Sequence, residues 1–139
     1  MNVNSDEEYV ISLVEYADHF ASIGGWDECF DLLGEALRID PNNVNALFVR
    51  HLVDVHFGSF NEANQCLDKI LIQTPNDYNT NLAKAITLVN LHRYTEAVSW
   101  FNKAFKIKEP DIADDFVESK PTSNHDEQEH LKLQKETHQ

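Results

Sequence analysis

The chain is short of bases. It carries 11 Lys and Arg against 24 Asp and Glu, a formal charge of −13 over 139 residues. A phosphate backbone is bound chiefly by neutralising it with Lys and Arg, so this deficit argues against nucleic acid as a ligand. An anionic membrane surface is disfavoured on the same ground. Cysteine is equally scarce: Cys29 and Cys66 give no framework of paired thiols, and a reducing compartment is the expectation. No apolar run is long enough to span a bilayer, and the start, MNVNSDEEYV, lacks the basic-then-apolar order of a secretory leader. A cytoplasmic location is therefore expected. Phosphate-binding glycine loops, nucleophile elbows and paired-carboxylate motifs are also missing, so neither an enzyme nor a cofactor or metal protein is expected.

What the chain does contain is unevenly spread. Residues 1–40 hold ten acids against the single base Arg38, whereas residues 41–108 hold five acids and seven bases. Residues 109–139 return to nine acids and three bases. An acidic first third can steer basic partners, although solubility alone accounts for such a distribution. The length is that of one domain.

Shifting the sequence by 34 residues against itself brings out a repeat. Trp26, Phe60 and Tyr94 coincide, each two residues after Gly24, Gly58 and His92. Cys29, Ala63 and Ala97 follow, then Leu33, Leu67 and Phe101, then Ala36, Ile70 and Ala104. Pro41 and Pro75 close two units, and Pro110 closes the third one residue late. Within each unit apolar residues recur at three and four, the period of an amphipathic helix. Gly24 and Gly58 fall where a tight turn is needed. Ser5 with Glu8 and Ser59 with Glu62 have the capping-box spacing, and Asn43 and Asp77 suit N-caps. The pattern predicts helices near 6–22, 26–39, 44–57, 60–73, 78–91 and 94–107, with no strands.

These columns resemble the tetratricopeptide repeat (TPR) family over about residues 10–110. The carriers are the small residues at 17 and 85, the aromatics at 26, 60 and 94, Ala63 and Ala97, Ala36 and Ala104, and the closing prolines. The resemblance implies an all-α fold of antiparallel helix pairs stacked into a short right-handed superhelix, and a non-catalytic binding scaffold. Its units run over 10–43, 44–77 and 78–111, after a lead-in at 1–9. Stacked units need a polar-faced terminal helix. Ile112, Phe116 and Val117 offer barely two turns of one, over 112–118, before Pro121 stops it. Residues 119–139 are polar and expected to be disordered or marginally helical.

The stretch FVRHLVDVHFGSF, Phe48 to Phe60, holds the densest chemistry. His51 and Asp54 occupy interior columns and lie three apart on one helix face, which predicts a mutual hydrogen bond. His56 points elsewhere and is expected at the groove edge. No third ligand is spaced to make a metal site. Cys29 sits in a small-residue packing column, and Cys66 has no activating neighbour at suggestive spacing.

In the TPR fold the first helix of each pair lines a concave groove. The register puts Val14, Asp18, Asn45, Phe48, Val49, Leu52, Val55, Asn79, Leu82, Ile86, Val89 and Asn90 there. Phe48, Leu52, Val55, Leu82, Ile86 and Val89 would form the apolar centre, and Asp18, Asn45, Asn79 and Asn90 would orient a peptide backbone. A patch near ~400 Å² is the size at which exposure signals binding. Covering it at ~25 cal/mol/Å² offers on the order of 10 kcal/mol gross, before the entropy of association.

An apolar or amphipathic segment of a protein partner is thus the expected ligand. Heat-shock chaperone tails are not expected. Family members that hold those carboxylates use a clamp of Lys, Asn, Asn, Lys and Arg, and the matching positions here are Val14, Asp18, Val49, Asn79 and Ala83. Two alternatives share the architecture: a type III secretion chaperone for a translocator protein, and homodimerisation through the incompletely capped third unit.

Overall fold

The computed structural model describes residues 3–109. Six helices follow one another: α1 (Val3–Ser22), α2 (Trp26–Ile39), α3 (Val44–His56), α4 (Phe60–Gln73), α5 (Tyr78–Asn90) and α6 (Tyr94–Lys108). No strand occurs among the described residues. Each odd helix packs chiefly on the even helix after it, and α3 and α5 also lie against the pair before them. The architecture is an all-α solenoid of three stacked helix pairs. The capping helix expected at 112–118 and the tail at 119–139 lie outside the described residues.

One turn serves all three pairs. Its left-handed residue is Gly24 (φ 81°), Gly58 (φ 76°) or His92 (φ 60°). The next N–H reaches back to a carbonyl in the closing helix: Gly25 to Phe20 at 2.7 Å, Ser59 to Asp54 at 2.7 Å and Arg93 to Leu88 at 2.9 Å. The N–H of the left-handed residue itself bonds Ala21, Val55 or Val89, which completes a Schellman closure. Glycine takes this backbone without steric cost, so the first two turns suit their residue and the third does not.

The turns between pairs use side chains. Asn43 Oδ1 accepts the Ala46 N–H at 2.9 Å, and Asp77 Oδ2 accepts the Thr80 N–H at 3.0 Å, so both residues cap as their types predict. The two capping boxes do not form. α1 begins at Val3, which places Ser5 and Glu8 inside the helix, and Ser59 makes no side-chain cap bond. At Ser59 the backbone closure already fixes the chain's entry into α4, and its carbonyl accepts the Ala63 N–H at 3.0 Å.

The core is a row of small and branched side chains. Ala17, Cys29, Leu33, Ala36 and Ala46 are fully buried in one cluster with Val10, Leu13, Val14, Val49 and Val53. A second cluster joins Leu47 of α3 to Leu67 and Ile70 of α4. The third pair is built differently. Where α3 buries Ala46, Leu47 and Val53, α5 buries Thr80, Asn81 and Thr87 in the same columns. Local bonds satisfy most of them: Thr80 Oγ1 donates to Asp77, Thr87 Oγ1 to the Ala83 carbonyl, and Asn81 Nδ2 to the Pro75 and Asp77 carbonyls. Only Asn81 Oδ1 is buried without a partner among the described residues.

Candidate functional site

The polar cluster in α3 is arranged differently from the expectation. His51 is buried, and its Nδ1–H donates to the Phe48 carbonyl at 2.5 Å, with the ring set edge-on to Phe48. It does not bond Asp54. Asp54 instead accepts from Arg50 Nε at 3.2 Å and from the Cys66 thiol of α4 at 3.7 Å. A spacing of three allowed the pair, but a carbonyl three residues back and a base four residues back are as near, and both won. Arg50 also lies over the Phe30 ring at 4.8 Å. His56 is exposed, stacks on Trp26 at 4.4 Å and does not line the cavity described below.

Burial sets the protonation in this cluster. It pushes the His51 ring below the ordinary histidine value, against the Phe48 carbonyl bond, so the neutral form is favoured. It pushes the Asp54 carboxyl up despite Arg50. Cys66, half-buried beside that carboxylate, is raised to about 11, which keeps it a thiol and a poor nucleophile at neutral pH. Burial likewise raises Cys29, with Asp18 adding to the effect. Among the described residues no group of three or more His, Cys, Asp or Glu is placed to hold a metal ion.

The concave side is where open space lies. A cavity of about 470 Å³ opens between the odd-numbered helices, within the usual size range of ligand pockets. Six of the expected groove residues line it: Val14, Asp18, Asn45, Phe48, Val49 and Asn79. Val14 and Val49 are buried and form its floor, Phe48 is half-buried, and Asn45 and Asn79 are exposed. The amides of Asn45 and Asn79, one register apart on α3 and α5, make no hydrogen bond among the described residues.

The other six lie outside the cavity. Leu52, Val55 and Leu82 are half-buried, Ile86 and Val89 are exposed further along α5, and the Asn90 amide donates to the Ile86 carbonyl at 3.2 Å. The cavity sits towards the start of α3 and α5, so it takes in residues near those helix starts that sequence reasoning passed over: Asn43, Val44, Thr74, Asp77 and Thr80. Glu15 was also missed, although it shares a column with Val49 and Ala83, a signal already present in the register.

No family model and no curated protein matches the chain. Solved structures do. One MamA point mutant aligns with a TM-score of 0.64 at 23% identity, over 70% of this chain and 72% of that one. A second MamA mutant gives 0.64 at 24% identity, over 72% and 55%. A structure of AMB-1 MamA gives 0.66 at 24% identity, over 73% and 60%. The fold is a TPR-like helical solenoid. The chain spans less than two thirds of the length of the latter two structures, and identity at this level carries the fold alone. No described helix is long and apolar enough to cross a membrane.

Proposed function

We propose that the protein is a non-catalytic interaction scaffold whose concave groove takes an apolar or amphipathic segment of a protein partner. The observation that carries this reading is the cavity between α1, α3 and α5: a buried valine floor, the Phe48 ring on its wall, and two unbonded amides at its rim. Amides one register apart suit the backbone of an extended segment, and the apolar wall suits its side chains. Ile86 and Val89, exposed on α5, would extend the apolar track beyond the cavity. A chaperone of the translocator type would use the same groove for a secreted partner.

Asn45→Arg tests this. Asn45 is exposed, lines the cavity and holds nothing else in place, so the bulk of arginine would fill the groove without disturbing the stack. The expected result is loss of a partner captured from native lysate, with far-ultraviolet circular dichroism unchanged. Full retention of that partner refutes the groove.

A second reading, self-association, has its own observation. Leu67 and Leu33 are fully buried, but Phe101 in the same column is only half-buried, and Val98 and Phe105 of α6 are largely exposed. Light scattering of the full chain separates the two: a monomer that gains mass only with a partner argues against self-association.

A further inference from the structure

We infer that the groove selects for positive charge: its occupant is an extended segment of a partner protein in which a Lys or Arg side chain stands beside an apolar one. This deepens the groove reading above and rests on it. Every formal charge on the cavity wall is negative, contributed by Glu15, Asp18 and Asp77, and no Lys, Arg or His of the described residues lines it. Asp77 is committed to its cap, because its carboxylate holds both the N–H and the hydroxyl of Thr80. Both bonds fall on Oδ2, so Asp77 adds to the field while that oxygen stays with the cap.

Glu15 and Asp18 differ. They stand three apart on one face of α1, both exposed, and neither forms an ion pair or hydrogen bond among the described residues. The acids that do pair here pair with the chain's own bases: Glu35 with Arg38, Asp54 with Arg50, Asp68 with Lys84 and Glu96 with Arg93. α1 has no Lys or Arg to answer its two groove carboxylates. Two unanswered carboxylates at the lip of a concave, apolar-floored cavity focus a negative potential into it. A cationic side chain reaching them would leave its neighbours over Val44 and Phe48, with Asn45 and Asn79 on the backbone. An acidic segment of the same shape meets repulsion instead.

The test uses the full chain and short capped peptides on one Leu/Val/Ser scaffold, carrying Lys, Gln or Glu at the same central positions. Binding is read by fluorescence anisotropy, with amide chemical shifts of Asn45 and Asn79 locating it. The Lys peptide should bind about tenfold tighter than the Gln peptide at low salt, and the Glu peptide weakest, with the margin shrinking to about threefold at ~0.3 M salt. Glu15→Gln with Asp18→Asn should equalise the Lys and Gln peptides while leaving helicity intact. Equal binding of Lys and Gln peptides by wild type overturns the charge selectivity but leaves the groove standing. A double variant that keeps the full preference overturns the assignment to Glu15 and Asp18. Peptides that shift neither asparagine amide overturn the groove reading itself, and the selectivity with it.

Discussion

Cutting away the carboxylate that Lys84 reaches should harm the protein more than removing the lysine. Lys84 of α5 is 7% exposed, and its Nζ donates to Asn64 Oδ1 at 2.9 Å and to Asp68 Oδ1, both on α4. The ammonium also lies over the Trp100 ring at 5.1 Å. Breaking a fully buried pair by removing one partner typically costs about 3–5 kcal/mol, because the other charge is left uncompensated. The Asp68 side chain is 52% exposed, so water screens the site and the cost falls to about 1–2 kcal/mol. For a domain of this size that lowers Tm by roughly 5–10 °C. Lys84→Met keeps an unbranched stem against Trp100, removes the ammonium together with its need for partners, and leaves Asp68 hydrated. It should stay within about 0.5 kcal/mol of wild type. Urea and thermal unfolding of Asp68→Ala and Lys84→Met, followed by circular dichroism, compare the two directly. If Lys84→Met costs as much as Asp68→Ala, the lysine contributes net stability and the reasoning fails.

The turns and the buried histidine give two more expectations. His92→Gly should raise stability by up to about 0.5 kcal/mol: relief of left-handed strain outweighs the greater freedom of glycine and the exposed bond from His92 to the Tyr94 hydroxyl. Gly58→Ala, in the same backbone conformation with open space around the added Cβ, should lower it by about 1 kcal/mol, and like signs in chemical denaturation would contradict the account. His51 binds its proton less readily in the fold than in the unfolded chain, where the value is about 6.5. Its contribution is therefore complete above that pH and is lost as pH falls below it. Asp54, raised by burial, acts with the opposite sign, favouring the fold at low pH and losing that effect as pH rises through its folded value. Urea midpoints between about pH 7.5 and 5.5 should fall less steeply for His51→Ala than for wild type, and equal slopes would refute a buried neutral ring.

The backbone was largely legible in the sequence, because it depends on local rules repeated three times. Glycine at 24 and 58, the caps Asn43 and Asp77, and apolar residues at helical spacing each report on a few neighbouring positions. α2 and α4 run between the residues their pattern predicts. Side-chain partnerships were much less legible. Asp54 turned from His51 to Arg50 and Cys66, and the thiol arrives from another helix, which spacing within α3 cannot reveal. Lys84 reads as a surface residue by type. Only its register with Arg50, and that of Asn64 with Phe30, hints that it crosses to the preceding pair. The groove was legible as a face but not as a depth, since the register places Phe48 and Leu52 on one side without saying which helix ends diverge to leave room.

The change from an apolar to a polar seam along the stack also has a mechanical consequence. Between the first two pairs, contact rests on Ala46, Val49 and Val53, which share one buried cluster with side chains of α1 and α2. Such contacts are non-directional, so that joint tolerates small rotations. Between the second and third pairs, Thr80, Asn81 and Thr87 are absorbed by bonds within α5 and the turn leading into it, while Lys84 reaches across to Asn64 and Asp68 on α4. Hydrogen bonds weaken steeply off axis, so this joint has a preferred angle. One arm of the concave cavity, carrying Asn79 and Thr80, is thus set by a pin one turn further along the same helix, outside the cavity lining. The width of the cavity is tuned by a residue that does not line it.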